Sequence, residues 1–426
     1  MIPIYYFASL VSKISAPFLD QTLKTLSSNE RINNFLKRLE TKRLRKIDNP
    51  KRILIIPDIN IGDAIITQSF ISPLRNFFPD MEISYVYQQK TYPLIKANPD
   101  IDRHFPLFRS LGYPSKRDCK GLKNIIERYD FDIIFNFCPY FSTNNFKSAN
   151  SSVIYPIRFI ANIIRAYDSD SNKAHIVFQL NRFANELIEE FPSNTKSKTQ
   201  PRENFPSNCL YATQQLCTKT RKIMAKLKIN PYAKKILFNP DTTSQYTFIP
   251  FKFQLELLKG ILSHKKLTLL LNCGYIFKGI EKKLLNEIPS TLREKIVVIP
   301  RDIPIDVYAA LIDNSDLFIT GDTGPLHIAA ARKYIVNSDA RFENSTAIIG
   351  IFGATSAKIY GYDSFSPEYF PAAQDAPSKV FESNPPCKNL TCIDKIFKNC
   401  PEVRCFDGLE SEQIVSYTHN YLSQIS

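Results

Sequence analysis

Two passages of this chain read as strand, tight turn and helix, and both strands have the composition of strands buried on both faces. In the first, Arg52-Ile53-Leu54-Ile55-Ile56-Pro57 runs through Asp58-Ile59-Asn60-Ile61-Gly62-Asp63 into an apolar-periodic helix, residues 64–77. In the second, the apolar run 316–320 passes through Gly321-Asp322-Thr323-Gly324-Pro325-Leu326-His327 into the small-residue run 328–331. A strand with no polar face needs covering on both sides, which restricts the fold to open, mostly parallel α/β sheets. After the first passage, Pro79-Asp80 and a second strand at 82–87 complete a βαβ unit.

Turns of this kind bring backbone and side chains to the carboxyl ends of strands, where open α/β sheets bind ligands. Gly321 and Gly324 let the backbone approach a ligand closely. The amides opening the helix 325–332 sit where the helix dipole favours phosphate, so an anionic ligand is expected there. Asp63 also lies at a helix start, where the dipole stabilises a carboxylate, which suits a general base. An ordinary N-cap is the competing reading for Asp63, and for Asp322 or Thr323.

In order along the chain, these residues resemble the family 9 glycosyltransferases, whose best-known members are ADP-heptose:lipopolysaccharide heptosyltransferases. The likeness runs from about residue 51 to the end. Besides Ile61-Gly62-Asp63 it rests on Pro73-Leu74-Arg75, Phe78-Pro79-Asp80, the run 94–102 (Leu-Ile-Lys-Ala-Asn-Pro-Asp-Ile-Asp), Tyr129-Asp130-Phe131-Asp132 and the stretch 317–331.

The resemblance implies a GT-B fold, two Rossmann-like domains facing a central cleft, here with a basic helical extension at residues 1–50. An acceptor domain at 51–230, a nucleotide-sugar donor domain at 231–408 and a helix at 409–426 crossing back to the first domain would follow. The polar, breaker-rich stretch 192–208 is a surface loop, and a helix at 210–227 precedes a hinge near 230–233. The implied activity is inverting transfer of a sugar, expected to be heptose from ADP-heptose, to a lipopolysaccharide or lipooligosaccharide core-type acceptor on a lipid. Asp63 would be the base, with Gly62 beside it on the acceptor loop.

For the donor, the family's paired threonines match Thr242 and Thr243, and amides of Thr323 and Gly324 would meet the diphosphate. Asp322 would hold the donor sugar or shape the loop, and His327 would support that loop or be a core histidine. Glu281 is the nearest match to an acid that contacts the ribose; a surface-helix residue facing Lys282 and Lys283 is an equal reading. No metal and no bound cofactor are expected. One departure stands out: where the family commonly has a lysine, this chain has Thr247, before Phe248-Ile249-Pro250. Lys252, Lys278 or Arg301 would substitute, or the donor differs, or the protein is a catalytically impaired GT-B binding protein.

Composition sets the remaining expectations. A chain of 426 residues exceeds one core and fits two α/β domains with an added segment. Of the net charge of +14, half lies in residues 1–52, with eleven Lys or Arg against four acids. With the aromatic and aliphatic face of residues 2–19, that arm is expected either on an anionic membrane surface or packed on the body of the protein. No reading motif accompanies the charge, so nucleic acid is not an expected partner. No run approaches a membrane span and the start does not read as a secretory signal, so a cytoplasmic protein is expected, peripheral on the cytoplasmic face of the inner membrane if the arm lies there. Nine cysteines in an odd, scattered pattern argue for reduced thiols. The spacing of Cys387, Cys392, Cys400 and Cys405 argues against a zinc site, and Asp168-Ser169-Asp170 reads as a turn.

Overall fold

The computed structural model describes residues 29–47, 49–58, 60–107, 115–138, 152–154, 175–192, 209–242, 247–274, 277–335, 346–363, 377–383, 385 and 404–425. Thr243, the pair Asp168 and Asp170, Cys387, Cys392, Cys400, the face at residues 2–19 and most of the loop 192–208 lie outside the described residues. The chain divides into two compact units, Met1–Tyr211 and Ala212–Ser426, each with its own parallel sheet. Both sheets are Rossmann-like, as the motifs predict.

In the first unit, β1 (Arg52–Ile56), β2 (Glu82–Gln88), β3 (Arg103–Leu107), β4 (Ile133–Asn136) and β5 (Ser152–Ile154) lie in the order β3-β2-β1-β4-β5. Every pairing is parallel. The all-apolar sequence of β1 places it at the centre: Ile53, Leu54, Ile55 and Ile56 have no exposed surface. Winding reverses between β1 and β4, so the crevice of this sheet opens at their carboxyl ends.

Short strands β6 (Cys209–Ala212) and β11 (Arg332–Ile335) stand outside the two large sheets. The second unit is built from β7 (Lys234–Asn239), β8 (Leu267–Leu271), β9 (Ile296–Val298), β10 (Leu317–Gly321), β12 (Ala347–Phe352) and β13 (Ser378–Glu382). Their order, β13-β12-β10-β7-β8-β9, is that of a doubly wound dinucleotide-type sheet with its reversal between β7 and β10.

One device recurs in both sheets. An aspartate immediately before a strand accepts a hydrogen bond from the first amides of the neighbouring strand: Asp132 from Lys51 and Arg52 at 2.7 and 2.8 Å, Asp102 from Ile83 at 2.7 Å, Asp316 from Lys235 at 2.7 Å. These bonds satisfy strand-entry amides that have no ladder partner and so fix register. Arg75 does comparable work for loops, donating to the carbonyls of Pro79, Met81 and Asp100 and to the Asp102 carboxylate. Much of the signature that carries the resemblance in the first half is therefore structural.

Several boundaries differ from the sequence reading. The units part between residues 211 and 212, ahead of the hinge expected near 230–233. The expected helix 210–227 becomes β6 and then helix Gln214–Lys226, which packs on helix Ile305–Asp313 of the second unit. Helix Ser411–Gln424, expected to cross back to the first domain, is anchored in the second unit: it packs on helix Phe251–Leu262, with Ile414, Tyr421 and Leu422 in that unit's core. The apolar stripe that would have carried it elsewhere is already buried.

The basic extension supplies helix Glu30–Leu44, which packs on the first unit through buried Thr41 and Leu44. Lys37 and Arg45 both pair with Glu190, at 2.9 and 2.7 Å. Burial pushes the Glu190 carboxyl up, but the bonds from Arg45 and Lys37 outweigh it and hold the group below the usual carboxylate range. Among the described residues, no helix is long and apolar enough to cross a membrane.

Candidate functional site

At the carboxyl end of β1 the chain enters helix Ile61–Ile66, then helix Gln68–Phe77, with a break at Thr67 where a single helix 64–77 was expected. Asn60, not Asp63, is the N-cap, in extended backbone, and its side chain makes no capping bond. Its amide instead donates to the Asp63 carboxylate at 2.8 Å. Asp63 is therefore inside the first turn, half-buried, with one carboxylate oxygen oriented by Asn60. Its backbone is also held, because the Thr67 amide and hydroxyl both donate to the Asp63 carbonyl, at 2.9 and 2.6 Å. A small hollow beside this turn is lined in part by Pro57, Asn60, Ala64, Gln88 and Thr91. Gly62 is buried in the same turn.

The second unit gathers more of the predicted residues. Asn239, at the end of β7, is buried and donates to the Thr320 hydroxyl of β10 at 3.0 Å and to the Asp241 carbonyl at 3.2 Å. Its side-chain oxygen accepts from the Asn272 amide at 2.6 Å and from the Tyr308 hydroxyl at 3.1 Å. One asparagine thus ties together the ends of β7, β8 and β10 and the helix Ile305–Asp313. Thr320 returns a bond to the Asn239 carbonyl at 2.9 Å. Burial raises the Tyr308 phenol far above its ordinary value, so it acts as a donor.

On this frame Thr242 and Thr247, which follow β7, come together. Thr242 and Thr247 are both buried, and their hydroxyls share a hydrogen bond at 2.6 Å. The Thr247 carbonyl lies 3.5 Å from where a side chain would start at Gly321, so the end of β10 comes against Thr247. Thr323 is the N-cap of helix Gly324–Ala330, in extended backbone, but its hydroxyl makes no side-chain capping bond. Asp322 is half-buried beside it. The helix ends two residues short of the expected 332 because Arg332 begins β11.

His327 is buried, with Nδ1 2.8 Å from the Tyr362 hydroxyl. Burial lowers its pKa to about 4, so the ring is neutral at pH 7. This favours a supporting role from inside the unit over contact with a ligand.

Glu281 lies in helix Ile280–Glu287, after β8, and pairs with Arg301 at 3.3 Å. The Arg301 guanidinium passes over Gly274, whose φ of +81° suits glycine, and a side chain there would meet Arg301 Nη2 at 2.7 Å and displace it. Burial, with the negative charges of Asp241 and Glu281, pushes the Cys273 thiol up to about 12, so it is not a nucleophile. Of the three cations considered as substitutes for the missing lysine, Lys252 is highly exposed and pairs with Glu256, and Lys278 is exposed. Arg301 is the one held by an acid at the strand ends.

The sequence brought Thr242, Asp322, Thr323, Gly324 and His327 to notice, and the fold collects them at the reversal of the second sheet. Asn239, Thr320, Asn272 and Tyr308 were missed, because a buried polar network has no local signature. The asparagine ending each of two apolar strands was the available hint. Among the described residues, no group of three His, Cys, Asp or Glu side chains is placed to hold a metal ion.

Residues 157–363 match the family model described as glycosyltransferase family 9 (heptosyltransferase). No curated protein matches. Similar solved structures include the glycosyl transferase family 9 protein from Veillonella parvula, 16% identical, covering 89% of this chain and 99% of that one with a TM-score of 0.60. E. coli ADP-heptose lps heptosyltransferase II is 13% identical, with 88% and 99% coverage and a TM-score of 0.55. E. coli heptosyltransferase WaaC, solved with ADP, is 13% identical, with 87% and 99% coverage and a TM-score of 0.50. The architecture is GT-B, shared with these structures, and residues 157–363 carry the likeness to glycosyltransferase family 9.

Proposed function

We propose that the protein transfers a sugar from a nucleoside diphosphate sugar to a glycan acceptor with inversion, and that Asp63 is the general base. The reading is carried by the second sheet's reversal point, where Thr242, Thr247 and the Gly321-Asp322-Thr323-Gly324 turn meet inside the family match. That is the position at which doubly wound sheets bind nucleotides, and the turn has backbone amides for an anionic diphosphate. Asp63 would take the proton of the acceptor hydroxyl as its oxygen attacks the anomeric carbon. The bond to the diphosphate oxygen breaks as the new one forms, so one base suffices.

In this scheme Asp322 holds the donor sugar, Thr242, Thr243 and the amides of Thr323 and Gly324 hold the diphosphate, and Glu281 with Arg301 flanks the ribose. No resident cofactor or metal takes part. ADP-heptose is the donor and a lipid-linked, lipopolysaccharide core-type glycan the acceptor, a choice that rests on the likeness to E. coli ADP-heptose lps heptosyltransferase II and to heptosyltransferase WaaC with ADP. Cytoplasmic location follows from such an acceptor.

A second reading has its own observation. Thr247 stands where a lysine is common, and its hydroxyl shares a hydrogen bond with Thr242. A GT-B protein that binds nucleotide sugar or glycan without transfer would accept a threonine at this position. Thermal stabilisation by ADP, UDP, GDP and CMP, measured for the parent and for Asp322→Ala, tests the donor site, since a ligand of the folded state raises the melting temperature. Selective stabilisation by ADP that the variant loses supports the scheme; selective UDP or GDP changes the sugar. No stabilisation by any of them at millimolar concentration overturns the donor site. Stabilisation by ADP together with no turnover on an acceptor extract selects the binding protein.

A further inference from the structure

We infer that the outer face of helix Glu30–Leu44 is a docking surface for an anionic phospholipid bilayer. At 100° per residue, Arg31, Phe35, Arg38 and Lys42 fall within an arc of about 60°. All four are exposed, and they are turned away from Thr41 and Leu44, which the body of the first unit buries. The helix thus has two faces with different employment. Lys37, between Thr41 and Leu44 around the helix, and Arg45, between Thr41 and Arg38, are held by Glu190. Arg31, Arg38 and Lys42 form no ion pair with a described residue.

Phe35 is what separates this stripe from an ordinary solvated helix face. It is 57% exposed, one of only two large apolar side chains so exposed among the described residues, and it sits between Arg31 and Arg38. In water that exposure gains nothing. Against a bilayer, the ring reaches the boundary of the acyl chains while the cations meet phosphate, the arrangement of interfacial helices. Charge complementarity selects the partner: three cations in register with one ring fit a negative lipid surface, and no element that reads bases accompanies them. The double ion pair to Glu190 would make the helix a rigid mount, so that docking holds the first unit at the surface.

Flotation of the full chain with phosphatidylcholine vesicles, with and without phosphatidylglycerol, tests the surface independently of any transferase activity. The chain should float only with the anionic vesicles, and less so as salt rises. Each basic residue near such a surface contributes roughly fivefold in partition, so Arg31→Gln, Arg38→Gln and Lys42→Gln together should reduce it on the order of a hundredfold. Phe35→Ala should weaken it severalfold at every salt concentration. All four positions are exposed, so melting temperatures should match the parent and report folding. Equal flotation with neutral and anionic vesicles, undiminished flotation of the triple variant, or retention on nucleic acid without flotation would each overturn the proposal.

Discussion

Replacing Asn239 by alanine tests the frame on which the proposed donor site stands. In the parent, the side-chain oxygen of Asn239 accepts from Asn272 and from the fully buried Tyr308 hydroxyl, and its amide bonds the Thr320 hydroxyl. Alanine removes the Asn239 oxygen that accepts from both, leaving the buried Tyr308 hydroxyl beside an Asn272 side chain that has lost the same acceptor. A buried group left unsatisfied costs about 1–3 kcal/mol, so Tyr308 and the half-buried Asn272 together predict a loss of about 3 kcal/mol. For a unit the size of Ala212–Ser426, that lowers the melting temperature by roughly 6–12 °C.

The sharper test is the sign of a second change. Tyr308→Phe alone deletes one hydrogen bond and should cost about 1 kcal/mol, because Asn239 keeps its bond from Asn272. Added to Asn239→Ala, the same change removes the orphaned hydroxyl and should be neutral or stabilising. Calorimetric scans of the four proteins, following the transition of the second unit, complete the cycle. If Tyr308→Phe costs as much in the alanine background as in the parent, the phenol does not depend on Asn239 and the network argument fails. The cycle also bears on function, since loosening the ends of β7 and β10 should reduce stabilisation by ADP even though neither residue is assigned to the ligand.

Asp63→Asn should lower transfer by about 10²–10⁴-fold while leaving nucleotide-induced stabilisation intact; equal activity would remove Asp63 from the role of base. His327 predicts a pH dependence. Its folded pKa of about 4 lies below the ordinary 6.5, so the unfolded chain takes up the proton first and stability falls as pH drops from about 6.5 to 4. The difference of about 2.5 units corresponds to about 3 kcal/mol at most, and His327→Gln should flatten that limb in acid-unfolding curves. An unchanged limb would refute burial of a neutral ring as its cause. Gly274→Ala should cost about 1–2 kcal/mol, because the backbone is left-handed there and Arg301 must move; a neutral result by thermal scan would mean the Arg301 and Glu281 pair is not held over that glycine.

What the sequence determined follows from local physics. Wholly apolar strands such as Ile53 to Ile56 can exist only with helices on both faces, and Gly321 with Gly324 on either side of Asp322 and Thr323 mark a tight strand-to-helix turn. Those signals are periodic or confined to a few neighbouring residues, so the two parallel sheets and the strand-to-helix turn after β10 were legible. The helix at the end of the chain was legible as a helix, but not its berth. Only packing against helix Phe251–Leu262 decided that it belongs to the second unit. Tertiary structure alone also decided that Asn60 orients Asp63, that Thr247 closes on Thr242, and that Asn239 gathers four elements. Each of these is a polar bond whose energy depends on burial and on partners brought near by the fold; in Asn239 and Tyr308 those partners lie 69 residues apart in the chain, a separation over which no local pattern carries information.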